Sequence, residues 1–174
     1  MNKKRMIILI GIIIVILDQL SKMLILNKLI TVVPNFLNFT YTQNVGMAFG
    51  IGSSMFATIT NAIVIVSILI FLVLKRKKLE HITYSSLILI LAGGIGNLID
   101  RIFRGYVIDF IDINLFNFPN FNIADMSIVI GVIIIFIMII MGIMFFLLIR
   151  KNLCMSGTHN ICIDNFLSHS GDIF

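Results

Sequence analysis

Acidic side chains are the residues of this sequence whose types and positions best suit chemistry. The chain carries only eight of them in 174 residues. Five occur at the ends of strongly apolar segments or shortly before the last of these segments: Asp18, Asp100, Asp109, Asp112 and Asp125. An ionised carboxylate next to hydrocarbon costs roughly 2.5–3.5 kcal/mol unless it is paired. The gathering of five such groups therefore indicates a functional site.

Two of the five, Asp109 and Asp125, are the candidates for catalysis. Asp109 is flanked by Ile108 and Phe110, and Asp125 opens a long apolar segment. If the two carboxylates meet in one partly dry site, their like charges oppose each other and the pair holds a single proton. One member then takes a proton from water while the other protonates a carbonyl oxygen. The alternative for Asp125 alone is an N-cap, because the helix dipole favours a carboxylate there.

The other three acids have simpler interpretations. Asp18 and Lys22 are four residues apart, so on a helix they share a face and form an ion pair that anchors the first apolar segment. Asp100 and Arg101 end a glycine-rich run, in which small residues let a helix approach its neighbour closely, and we expect them to have a structural or ligand-positioning role. Asp112 is expected to be either a solvated loop acid or a member of the site.

The composition shows which elements must position these side chains. Hydrophobic residues make up 59% of the chain, charged residues 12%, and the mean hydropathy is +1.10. These values exclude a disordered chain, a disulfide scaffold and an ordinary cytosolic enzyme, and leave an integral membrane protein. In lipid the backbone must satisfy its own hydrogen bonds, so the apolar segments are predicted to be helices. The predicted spans cover residues 6–26, 55–74, 82–99 and 125–149.

Lys and Arg predict the orientation of these helices. With the N-terminus inside, nine basic residues fall on the inner side and four on the outer side, so both termini are expected in the cytoplasm. The outer loops then cover about 27–54 and 100–124. The first is rich in β-branched and aromatic residues, and it predicts one or two short strands. The expected fold is an all-α membrane protein of four helices with a small extracytoplasmic β-rich platform. A membrane domain at 1–151 precedes a cytoplasmic tail of unknown role at 152–174.

Five short motifs occur in order along residues 1–150. They are D-Q-L-S-K at 18–22, N-V-G-M-A-F-G at 44–50, G-N-L-I-D-R at 96–101, V-I-D-F at 107–110 and F-N-I-A-D at 121–125. Each motif alone is weak, but the ordered set resembles bacterial lipoprotein signal peptidase (signal peptidase II), a family of four-helix aspartic proteases. Met47 and Met126 stand where that family more often has smaller residues.

The resemblance implies a function for the site. It makes Asp109 and Asp125 a catalytic dyad that activates water and cleaves before the diacylglyceryl-modified cysteine of a prolipoprotein. The side chains expected to line the site and hold substrate or orient the aspartates are those of Asn44, Asn97, Arg101 and Asn122. Asp18 and Lys22 have a supporting role. The expected enzyme is a monomer of the bacterial cytoplasmic membrane, in contact with membrane lipid, with its site near the outer face and with no metal or cofactor.

Other functions fit the sequence less well. The strongest alternative is a proton-coupled transporter or channel, since intramembrane acids often mark ion paths, but the inner halves of two predicted helices are almost purely apolar. A protease of the GxGD type needs an Asp where this chain has Asn97, and a scaffold leaves the clustered acids without a role. His81, His159 and His169 are all predicted to be cytoplasmic, and no zinc or serine hydrolase motif occurs. The basic residues form no stripe for nucleic acid.

Overall fold

The computed structural model describes residues 2–26, 28–46, 53–75, 77–114 and 118–155, the last five of these by their backbone alone. Met47 and residues 156–174 of the predicted tail lie outside the described residues. The contacts divide the chain into two compact units, Met1–Ile135 and Phe136–Phe174. Every predicted site residue belongs to the first unit. In the second unit, the described residues continue the last helix.

Four long helices form in the order predicted. They are α1 (Lys3–Leu24), α2 (Ser54–Lys75), α3 (His81–Arg104) and α4 (Ile123–Met155). All four are long and apolar enough to cross a membrane. Many of their large apolar side chains are exposed, as is expected of helices that face lipid. The predicted fold class is confirmed.

The end of α3 differs from the prediction, which stopped at residue 99. The helix continues to Arg104, because the charges of Asp100 and Arg104 lie one turn apart and form an ion pair. It ends at Gly105, whose φ of 82° is left-handed and suits glycine at this position. The extra turn keeps Arg101 on a rigid helix instead of on a loop.

A three-stranded antiparallel sheet joins the two segments predicted as outer loops. Its strands are β1 (Leu29–Val33), β2 (Leu37–Asn44) and β3 (Val107–Ile113), in the order β1-β2-β3. The two strands in the first segment agree with the prediction, whereas β3 was not predicted. β2 and β3 pair from Leu37 opposite Ile113 to Asn44 opposite Val107. This pairing brings the end of β2 to the beginning of β3.

The third helix is the centre of the bundle. Half of the residues in the apolar 18-residue segment of α3 are buried, compared with 17% of those in the corresponding segments of α1 and α2. Its glycines allow this, as predicted: a Cβ at Gly96 would lie 2.8 Å from an Asp18 carboxylate oxygen, and one at Gly93 would overlap the Ala124 carbonyl oxygen. Small residues therefore let α1 and the start of α4 approach α3 closely.

Candidate active site

Side chains from β2, α3, β3 and α4 meet around one cavity of about 1120 Å³. The predicted site residues in its lining are Asn44, Asn97, Arg101, Asp109 and Asp125. Asn122 is fully buried between the strands and α4, and it hydrogen-bonds to members of this lining. Asp18 and Lys22 are fully buried on α1 and reach the site through Asn97 and the backbone.

Asp109 projects from β3 and is almost completely buried, with 3% of its surface exposed. Its Oδ2 accepts a hydrogen bond from Asn44 Nδ2 at 2.9 Å, and its Oδ1 accepts one from Asn122 Nδ2 at 2.6 Å. Burial raises the pKa of Asp109 to about 6, and the nearby charge of Asp125 acts in the same direction. The hydrogen bonds from the two asparagines and the charge of Lys22 oppose this rise.

Asp125 lies in the first turn of α4. Its Oδ1 accepts a hydrogen bond from Asn97 Nδ2 at 2.7 Å, and its Oδ2 accepts the Asn122 N–H at 3.3 Å. In return the Asp125 N–H donates to Asn122 Oδ1 at 2.9 Å. This reciprocal pair is a capping box in which Asn122 is the N-cap, so Asp125 is not the cap itself. Its carboxylate is held by the cap on one oxygen and by Asn97 on the other.

Asn122 connects the two carboxylates. Its side-chain NH₂ group donates to Asp109, while its backbone N–H donates to Asp125. Because the Asn122 amide oxygen accepts a peptide N–H, its nitrogen must point toward Asp109. The fold thus brings Asp109 and Asp125 to the lining of one cavity, and the buried Asn122 is hydrogen-bonded to both.

A buried group of charges stands behind the cavity. The ammonium nitrogen of Lys22 lies 2.8 Å from Asp18 Oδ2, 2.8 Å from Asp100 Oδ2 and 3.1 Å from Asn97 Oδ1. The predicted ion pair of Asp18 and Lys22 is confirmed. Asp100 pairs with Lys22 and Arg104, and not with its neighbour in sequence, Arg101.

Arg101, the next residue on α3, lines the cavity. Its Nη2 donates to the Gly46 carbonyl oxygen at 2.9 Å, so it holds the chain just after β2. Its Nε is buried and has no hydrogen-bond partner among the described residues. The guanidinium group of Arg101 lies near both Asp109 and Asp125.

Two members of the buried charge group, Gln19 and Arg104, were not predicted from the sequence. Gln19 donates to the Gly96 carbonyl oxygen and to Asp100 Oδ1, at 3.1 and 3.2 Å, and its own oxygen accepts from Arg104. The spacing of four between Asp100 and Arg104 was a visible signal, whereas nothing in the sequence singled out Gln19. Asp112 does not belong to the described lining of the cavity; it is half-buried on β3 and accepts from Asn38 at 3.5 Å.

The family model described as signal peptidase (SPase) II matches residues 10–141. The chain belongs to the signal peptidase II family. A lipoprotein signal peptidase of Staphylococcus aureus strain JH9 is 41% identical over 149 residues, which cover 79% of this chain and 91% of the relative. The same identity and coverage hold for the protein of strain Newman.

Two solved structures have the same fold. Both are bacterial membrane enzymes solved by the in meso method. The first, at 2.3 Å, has a TM-score of 0.70 and 38% identity and covers 78% of this chain and 87% of its own. The second, at 1.9 Å, has a TM-score of 0.66 and 40% identity and covers 77% of this chain and 92% of its own. Family and fold together make this chain a multi-pass bacterial membrane peptidase, as predicted, rather than a transporter.

Proposed function

We propose that this chain is an aspartic endopeptidase that removes the signal peptides of prolipoproteins, with Asp109 and Asp125 as its catalytic residues. Membership of the signal peptidase II family supports the peptidase activity, and the relatives' name, lipoprotein signal peptidase, supports the substrate. The aspartic mechanism depends on one observation. Two carboxylates from different elements line the same cavity, and the buried Asn122 donates hydrogen bonds to both.

The environment of each carboxylate suggests its role. The raised pKa of Asp109, about 6, keeps a proton on this residue where an ordinary aspartate has lost it. The charge of Asp125 contributes to this rise, so Asp125 is the ionised member of the pair when Asp109 holds the proton. We therefore assign Asp125 as the base that takes a proton from water and Asp109 as the acid that protonates the scissile carbonyl oxygen.

The reaction balances with these two groups alone. The water oxygen attacks the carbonyl carbon while its proton passes to Asp125 and the proton of Asp109 passes to the carbonyl oxygen, which gives a neutral gem-diol. The C–N bond then breaks as Asp125 returns its proton to the leaving nitrogen. One hydroxyl of the gem-diol releases its proton to Asp109, which restores the initial state.

The walls of the cavity suit a lipid-bearing substrate. Apolar side chains dominate the lining beyond the polar groups already named: Ala57, Val64, Phe118, Met126 and Val129. We propose that the diacylglyceryl group on the substrate cysteine rests against these side chains and that cleavage occurs just before this cysteine. The excess of basic residues at the opposite helix ends supports a site near the outer face, with both termini in the cytoplasm. We further propose that the enzyme acts as a monomer in contact with membrane lipid.

The test is cleavage of a diacylglyceryl-modified prolipoprotein by the purified enzyme in detergent. We expect Asp109→Asn and Asp125→Asn each to lower kcat at least about 1,000-fold, since each removes one half of the proton transfer. Asp112→Asn is the matched control, because it makes the same change on β3 away from the cavity lining, and we expect most activity to remain. Full cleavage by either of the first two variants, or equal loss in the control, refutes this assignment.

A further inference from the structure

We propose that Lys22 is a positioning residue of the active site. Its buried ammonium group sets the spacing of the two backbone segments that carry Asp109 and Asp125. The same group also sets the direction of the Asn97 amide, which faces Asp125. The inference rests on the proposed function, in which the two aspartates act together. Lys22 is fully buried, and its three acceptors belong to Asp18, Asp100 and Asn97. An ammonium group has three N–H donors, so all three are used.

The first of these contacts leads to α4. Asp18 uses Oδ2 for Lys22, at 2.8 Å, and uses Oδ1 to accept the Ala124 N–H at 2.9 Å. Ala124 immediately precedes Asp125 and belongs to the first turn of the helix, where peptide N–H groups have no partner within the helix. The position of this turn therefore depends on where Lys22 holds the Asp18 carboxylate.

The second contact leads to β3 in the same way. Asp100 Oδ2 is 2.8 Å from Lys22 and accepts the Ile108 N–H at 3.2 Å. Ile108 immediately precedes Asp109. One ammonium group thus joins two carboxylates, and each of these holds the peptide N–H directly before one of the proposed catalytic residues. The distance between β3 and the first turn of α4 therefore depends on the contacts of Lys22 with Asp18 and Asp100.

The third contact sets the direction of an amide. Asn97 Oδ1 accepts from Lys22 at 3.1 Å, and Asn97 Nδ2 donates to Asp125 Oδ1 at 2.7 Å. Because an ammonium group can only donate, the amide oxygen must face Lys22 and the NH₂ group must face Asp125. The reversed amide would place two donors together on one side and two acceptors together on the other.

Anchoring of the helices alone does not account for this arrangement. An ion pair between Lys22 and Asp100 already joins α1 to α3. Arg104 pairs with the other oxygen of Asp100, so two cations and two carboxylates form a formally neutral group that is tolerated when buried. Three further contacts of this group, to the peptide N–H groups before both aspartates and to Asn97, lead to the site.

The experiment uses the charge-balanced double variant Lys22→Met with Asp18→Asn. Lys22→Met alone leaves an uncompensated buried carboxylate, whereas the double variant keeps the neutral pair of Asp100 and Arg104 and an amide oxygen at position 18 for the Ala124 N–H. A misplacement of about 1 Å in an active site costs on the order of 100-fold in rate. We expect kcat for the prolipoprotein to fall about 100-fold and KM to change less than about threefold, since Lys22 does not line the cavity.

Ser127→Ala is the matched control. It removes a buried hydrogen bond between α4 and α3, from Ser127 Oγ to the Leu89 carbonyl oxygen at 2.7 Å, and should lower Tm while leaving kcat unchanged. A double variant that is folded and keeps kcat, or one in which only KM rises, overturns the positioning role. Loss of the fold in the double variant also overturns it, because the charge group would then be a determinant of folding.

Asp109→Asn, measured in parallel, separates this inference from the function on which it rests. If that variant is inactive while the double variant retains kcat, the proposed function stands and the role of Lys22 is wrong. If Asp109→Asn cleaves normally, the proposed function itself fails, whatever the double variant does.

Discussion

Ionisation of Asp109 should destabilise the folded protein, and Asp109→Asn should remove that effect. The ordinary pKa of the group is 3.8, and in the fold it is about 6. Below pH 3.8 the residue is protonated in both the folded and unfolded states. Between pH 3.8 and about 6 the unfolded chain releases this proton while the folded state keeps it, so the folded state loses stability relative to the unfolded chain across this range. A rise of about 2 pH units corresponds to about 3 kcal/mol at 1.36 kcal/mol per unit.

The measurement is thermal unfolding in a non-ionic detergent at pH 3.5 and pH 7.5 for the wild type and for Asp109→Asn. The difference between the two proteins at each pH cancels the titration of groups that do not interact with Asp109, and it retains the mutual repulsion of Asp109 and Asp125 as part of the effect. We expect this difference to move in favour of the variant by about 3 kcal/mol between the two pH values, or roughly 6–12 °C in Tm for a chain of this length. Asp112→Asn, at a half-buried carboxylate of the same strand, reports what the substitution itself does. A difference that stays constant, or that moves in favour of the wild type at high pH, refutes the reasoning.

Two further predictions concern the groups around the carboxylates. Asn44→Ala removes the 2.9 Å hydrogen bond that stabilises ionised Asp109, so the pKa of Asp109 should rise further. The limb of the pH profile of kcat/KM that reports this residue should then move about 1 unit to higher pH, and a shift to lower pH would contradict this. Gly93→Ala places a methyl group against the Ala124 carbonyl oxygen and should lower both Tm and kcat, measured by thermal unfolding and by cleavage. The control is Gly142→Ala, where a Cβ meets nothing within 4 Å, and it should leave both quantities unchanged or raise Tm slightly.

The helices were predictable because lipid allows the backbone few alternatives. A long apolar segment in a membrane must be helical, and all four predicted segments are. The predicted end of the third helix was wrong, because the charged residues that follow residue 99 were taken to mark its end. Asp100 and Arg104 continue α3 because they neutralise each other across one turn. The strand β3 was missed because Asp109 interrupts its apolar pattern, and only the pairing with β2 shows why the strand forms there.

The sequence allowed the members of the candidate site to be proposed, but not the connections between them. The cost of placing charge near hydrocarbon singled out Asp109 and Asp125 from the sequence alone. The resemblance to a family added the asparagines, but it could not show that Asn122 bonds to both carboxylates or that Lys22 stands at the centre of a buried charge group. The contacts of this charge group include one between Asp18 and Ala124, which are 106 residues apart, and no local pattern encodes such a contact.

The ion pair of Asp18 and Lys22 has a consequence for biosynthesis. Helix α1 enters the membrane long before the ribosome has made Asp100 or Ala124, so neither of the later partners is available to its charges. The spacing of four within one helix lets α1 be inserted as an internally neutral unit, with the 2.8 Å contact already closed. The proposed site is completed only when α4 has been made, because Asp125 and the Ala124 N–H that Asp18 accepts both lie in its first turn.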